Sequence, residues 1–153
     1  MKHILVTTDL SEASESVFDN AKDQFKLAGK EKCKITLMKV IAAVPPASIN
    51  FEYGLALPDK KGMLEKVYKH ASEQIQEIAE KQFAGLPVET VVVKPKKAVY
   101  QEIISFAETN NVSLIVMSTH GRTGAKHFLL GSVAERVIRR SPCPVMIVPA
   151  TPE

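Results

Sequence analysis

Two cysteines in 153 residues are too few for a disulfide framework, and Cys33 and Cys143 stand in no metal-ligand spacing. The four histidines, His3, His70, His120 and His127, form no H-E-x-x-H or comparable pattern, so no metal site is expected. Long apolar runs are missing too. No stretch approaches the roughly 18 residues of a membrane span, and the opening MKHILVTTDLSE is too short and too soon acidic for a signal peptide. A cytoplasmic chain without a membrane partner is expected. Charge of one sign is equally scarce: 20 Lys and Arg against 17 Asp and Glu leave a formal +3, which argues against nucleic acid as the main partner. The densest basic stretch, KPKK at 94–97, is broken by proline between two periodic segments and reads as a solvated loop. Neither G-x-x-x-x-G-K-[ST] nor G-x-G-x-x-G occurs, which excludes a Walker loop and a dinucleotide fingerprint.

The chain does hold enough apolar residues, 45%, for one substantial core, and residues 1–153 read as a single domain. Runs rich in Val, Ile and Leu recur at 3–8, 34–41, 88–93, 113–118 and 144–148, with longer amphipathic stretches between them. That alternation predicts βαβ units and a parallel α/β sheet, and the near-continuous hydrophobicity of the runs predicts strands covered on both faces. Helical stripes follow at Val17, Phe18, Ala21, Phe25 and Ala28, then at Leu64, Val67, Ala71, Ile75 and Ile78. Shorter stripes lie at Tyr100, Ile103, Ile104 and Ala107, ending near Asn110 and Asn111, and at Val133, Val137 and Ile138. One connection has no clear period, AAVPPASINFEYGLALPDKKG at 42–62, a length typical of lids and binding loops.

Chemistry is concentrated at two strand ends. The first run passes into Thr7-Thr8-Asp9, and the fourth into MSTHGRTGAKHFLLGSV (117–133), with glycines at 121, 124 and 131. Glycine costs backbone entropy, so such a cluster marks tight turning or close approach by a ligand. Ligands of open α/β sheets settle outside the carboxyl ends of the strands, and a helix beginning at Ser132 would offer N–H groups and a partial positive charge to a phosphate. Each residue also has a purely structural reading. Ser132 with Glu135 forms a capping-box pattern, Asp9 could cap the first helix, and Gly121 and Gly124 could be turn residues. Their joint placement at two strand ends favours a nucleotide site.

The opening KHILVTTDLSEAS, the segment LIVMSTHGRTG and the final HFLLGSVAERVIRRSPCPVMIVP together resemble the universal stress protein family over essentially the whole chain. The resemblance implies a Rossmann-like, open parallel five-stranded sheet in the order 3-2-1-4-5 with helices on both faces. It further implies a homodimer through the C-terminal strand at 144–148, and ATP, with or without magnesium, at the switch point. The family's G-x-x-G-x9-G-[ST] pattern falls on Ser118, Gly121, Gly131 and Ser132, with serine in place of the first glycine. By position, Asp9 and the backbone near Val40 and Ile41 would meet the adenine, Ser118 the ribose, and Gly121, Gly131, Ser132 and Val133 the phosphates. Thr8, Met117, His120, Arg122 and Ala134 complete the expected binding set; no catalytic residue is assigned. The function implied is an ATP-binding stress-response module that acts through nucleotide-dependent conformation or partner binding. The alternatives are a slow ATPase or phosphotransferase, and a dimeric scaffold that binds no nucleotide.

Overall fold

A parallel strand flanked by helices on both sides must be apolar at successive positions, because its side chains alternate between two buried faces. The computed structural model, which describes residues 2–10, 14–42, 60–94, 96–119 and 130–149, builds its sheet from such strands: β1 (Lys2–Thr7), β2 (Cys33–Val40), β3 (Val88–Val93), β4 (Leu114–Ser118) and β5 (Val145–Val148). Between them run α1 (Glu15–Ala28), α2 (Lys60–Gln82), α3 (Val99–Thr109) and α4 (Ser132–Arg140). All pairings are parallel and the order is β3-β2-β1-β4-β5. The chain thus winds from β1 out to β3, then returns past β1 to build the other half, and the crossover lies between β1 and β4.

Alternation divides the core in two. Ile4, Val6, Ile35, Leu37 and Val116 face α1 and α2, where Phe18 of α1 and Phe83, the residue after α2, meet edge to face at 5.5 Å. Leu5, Met38, Val40, Ile115 and Met117 face the other way, against Ile103 and Ala107 of α3 and Ala134 and Val137 of α4. Burial of each Val, Leu, Ile, Met or Phe among them stabilises by roughly 1.5–3 kcal/mol, and of each alanine by less. The predicted stripe of α1 is met by buried Val17, Phe18, Ala21 and Phe25.

Two stripes need correction. On α2 the fully buried row is Met63, Val67, Ala71, Ile75 and Ala79, an unbroken spacing of four, while Leu64 and Ile78 are half-buried on its flanks. The sheet accepts one ridge of a long straight helix, and the neighbouring ridge falls to its side. On α4, Ile138 is 43% exposed; the helix lies at the sheet margin against α3 and β5, where no further layer covers its outer side. The end of α3 is as expected, with Asn111 at φ 51°, the left-handed conformation that asparagine adopts more readily than most residues. Most of the 42–62 connection, residues 43–59, lies outside the described residues.

Candidate functional site

The carboxyl ends of β1, β2 and β4 surround a cleft of about 330 Å³, at the point where the winding direction reverses. Its position is dictated by topology: connections leave β1 and β4 toward opposite sides, so no loop fills the gap between them. Met38 and Val40 of β2 with Val99 and Ile103 of α3 make one wall apolar. The opposite end is formed by Thr119, Gly131 and the first turn of α4.

Asp9 is set by a strained turn. Thr8 extends β1, its N–H bonded to the Met38 carbonyl at 3.0 Å, and its Oγ1 accepts the Leu10 N–H at 2.9 Å. Leu10 sits at φ 69°, a conformation that costs a non-glycine residue about 1 kcal/mol or more. The Asp9 Oδ1 accepts a hydrogen bond from Ser14 Oγ at 3.0 Å, and its Oδ2 is buried. The N-cap position of α1 falls on Ser14, five residues beyond Asp9.

At the other end, the Gly131 N–H bonds the Thr119 carbonyl at 2.7 Å, drawing the two ends of the glycine segment together. That N–H is therefore engaged within the fold. Gly131 itself is the N-cap of α4 at φ −61° and ψ 151°, a conformation open to any residue, so the backbone does not require glycine at 131. The Glu135 N–H makes a helical bond to the Gly131 carbonyl at 2.9 Å, which leaves Ser132, Val133 and Ala134 ahead of it at the positive end of the helix. The capping box does not form: Ser132 is the first helical residue without a side-chain cap bond, and the Glu135 carboxylate pairs with Arg139 at 3.0 Å.

Of the residues singled out from sequence, Thr8, Asp9, Val40, Met117 and Ser118 line the cleft from the strand ends. Gly131, Ser132, Val133 and Ala134 line it from α4. Ser118 closes β4 in regular register with Val148 and without positive φ, so the serine in place of glycine fits the backbone without strain. Ile41 is buried and is not part of the wall; its N–H is bonded to the Val93 carbonyl at 2.9 Å, and Ala42 lines the cleft instead. His120, Gly121 and Arg122 lie outside the described residues, as does Gly124.

One wall residue was missed in the sequence reading. Lys39 lines the cleft, and its Nζ lies 3.4 Å from the Asp9 carbonyl. The signal was available, as a lysine one residue before the carboxyl end of an interior strand, within the run Leu37, Met38, Val40 and Ile41. The KPKK loop is far less open to an anion, because the Lys96 and Lys97 N–H groups both donate to Glu102 Oε1 at 3.2 and 3.0 Å. Among the described residues no group of three or more His, Cys, Asp or Glu could hold a metal ion, and no helix is long and apolar enough to cross a membrane.

A family model described as the universal stress protein family matches residues 1–149. The universal stress protein MJ0531 of Methanocaldococcus jannaschii is 34% identical over 96% of this chain and 81% of its own length. Protein MJ0577 of the same organism is 29% identical by structural superposition, with a TM-score of 0.77 over 99% of this chain and 98% of that one. A more distant likeness, 19% identical with a TM-score of 0.59 over 96% of this chain and 97% of the other, is the universal stress protein from Archaeoglobus fulgidus in complex with dAMP.

Proposed function

Because the chain belongs to the universal stress protein family, we propose that it is a cytoplasmic, ATP-binding stress-response module that acts through nucleotide-dependent conformation or partner binding. The observation that carries this reading is the cleft at the switch point, whose about 330 Å³ lies within the roughly 300–1,000 Å³ usual for small-molecule sites. Its apolar wall of Met38, Val40, Val99 and Ile103 suits the faces of a purine. Asp9, which the family resemblance sets at the adenine, is read here as the partner of a ribose hydroxyl, since its carboxylate, held by Ser14, can only accept; the first turn of α4 suits phosphate oxygens. The bound dAMP of the Archaeoglobus fulgidus relative supports an adenine nucleotide as the class of ligand. By the family pattern Gly121 would hold phosphate, with His120 and Arg122 its neighbours in the expected binding set; magnesium, where bound, would offset phosphate charge. The same reading makes the protein a homodimer paired through residues 144–148, with Ile138 exposed on a helix that packs against β5.

The test is mass spectrometry of small molecules released from the purified, denatured protein, followed by thermal melts of nucleotide-free material. ATP at about 100 times its dissociation constant should stabilise the fold by roughly 2.7 kcal/mol. Recovery of ADP from protein loaded with ATP would favour the slow-hydrolase reading. An unmoved midpoint at millimolar ATP with magnesium would favour the scaffold.

A further inference from the structure

We propose that the cleft prefers an adenine nucleotide whose ribose itself carries a phosphate, and that Lys39 is the residue that selects it. The proposal rests on the adenine-nucleotide reading above and concerns the part of the ligand between base and 5′-phosphate.

β2 is a central strand in which Cys33, Ile35, Thr36, Leu37, Met38 and Val40 are all buried. A half-buried lysine among them loses rotamer freedom and hydration that an apolar residue would not. The other lysine of the strand, Lys34, lies at its amino end near Glu89, at 3.9 Å. Lys39 is at the opposite end, on the cleft, and its ammonium reaches past the end of β1 to the Asp9 carbonyl at 3.4 Å. Positive charge is thereby held across the carboxyl ends of two adjacent strands, beside the one carboxylate among the described lining residues.

That location has a chemical meaning. With a base on the wall of Met38, Val40, Val99 and Ile103 and a 5′-phosphate at the first turn of α4, the ribose spans the interval over Asp9 and Ser118. In dinucleotide-binding α/β sheets an acidic side chain at the ribose accepts from its hydroxyl, whereas a basic one accommodates a ribose phosphate. This cleft presents one of each. Asp9 accepts from a free hydroxyl and repels a phosphate; Lys39 donates to a phosphate with full charge. A ribose with one free hydroxyl and one phosphorylated hydroxyl satisfies both, and adenosine 3′,5′-bisphosphate and adenosine 2′,5′-bisphosphate are its simplest forms.

Titration calorimetry on the full chain would compare AMP with the two bisphosphates, which also decides between the two positions. A hydrogen bond to a charged group is worth about tenfold or more in affinity, so at least one bisphosphate should bind about tenfold more tightly than AMP. Lys39→Met should remove that advantage while weakening AMP much less, and Lys39→Arg should retain most of it, with melts confirming that both variants fold. Equal binding of AMP and both bisphosphates by the parent protein overturns the proposal, as does an advantage that survives in Lys39→Met. Failure of all three ligands to bind overturns the nucleotide reading itself, a result distinct from binding without preference.

Discussion

His3 is 3% exposed near the start of β1, where its ring ties three segments together. Nε2 lies 2.8 Å from Thr36 Oγ1 on β2, and Nδ1 lies 3.1 Å from the Asn110 carbonyl at the end of α3. A carbonyl can only accept, so Nδ1 carries the proton and Nε2 accepts from the threonine hydroxyl; the ring is neutral. Burial lowers its pKa below the ordinary 6.5, and Lys34 adds to that effect, against opposing contributions from the Asn110 carbonyl and Glu89. The unfolded chain therefore takes up the proton at a higher pH than the native one. Stability from this group is present above about pH 6.5 and is lost as pH falls below it, toward the lowered native value. The urea midpoint should drop between about pH 7.5 and about pH 5.5, and should drop less in His3→Gln. Identical pH profiles for the two proteins would assign the acid sensitivity to other groups. Burial acts on Cys33 in the opposite direction, raising its pKa; the protonated thiol should react slowly with iodoacetamide in the native state and readily in urea.

Helix α4 illustrates how an element can satisfy a sequence pattern without using it. Ser132 and Glu135 are spaced as a capping box, yet the helix begins at Ser132 and the glutamate turns toward Arg139. An i,i+4 pair on an exposed face and a cap compete for one side chain, and at the cleft the cap position falls on Gly131. Ser132→Ala should therefore change stability by less than about 0.5 kcal/mol, as expected of a surface substitution. If its hydroxyl reaches a phosphate, affinity for ATP should fall by roughly 1.5–3 kcal/mol, or tenfold and more. Thermal melts and titration calorimetry on the same variant separate the two quantities. A stability loss near 1 kcal/mol with unchanged affinity would restore the capping role and remove Ser132 from the site.

For the whole molecule, the exposed margins of the sheet matter most. β5 is an edge strand, and its bonds to β4 include those from Ile115 N–H to the Pro144 carbonyl and from Thr119 N–H to the Val148 carbonyl. Backbone groups of a strand alternate between its two sides, so Val145 and Ile147 direct theirs outward. A bare edge of this kind invites pairing, and in the proposed homodimer a second copy supplies it. Val145→Pro removes one outward N–H and leaves the β4 ladder intact, a placement that edge strands tolerate. Sedimentation at micromolar concentration should find the parent protein dimeric and this variant shifted toward monomer, with an unchanged circular dichroism spectrum. A monomeric parent, or a dimer indifferent to the proline, would reject pairing through this strand.

The amino-acid sequence by itself determined the five strands, the four helices and their alternation, because hydrophobic periodicity is a local property that each segment carries alone. β3 matches its predicted span of 88–93, β1 and β2 are each shifted by one residue toward the amino end, and β4 and β5 each start one residue later than predicted. It also pointed to the two strand ends that meet at the cleft, since Thr8, Asp9, Gly131 and Ser132 are residue types that few helices or strands need in such places. Tertiary structure alone decided how those residues are used. The Ile41 N–H pairs with Val93 and Ile41 is absent from the cleft wall, the Gly131 N–H is engaged by Thr119, and the Lys39 ammonium reaches the Asp9 carbonyl. Each of these bonds joins residues far apart in the chain. Which donor meets which acceptor depends on the order and register of strands, and no local pattern encodes a pairing that exists only after the sheet has closed around its crossover.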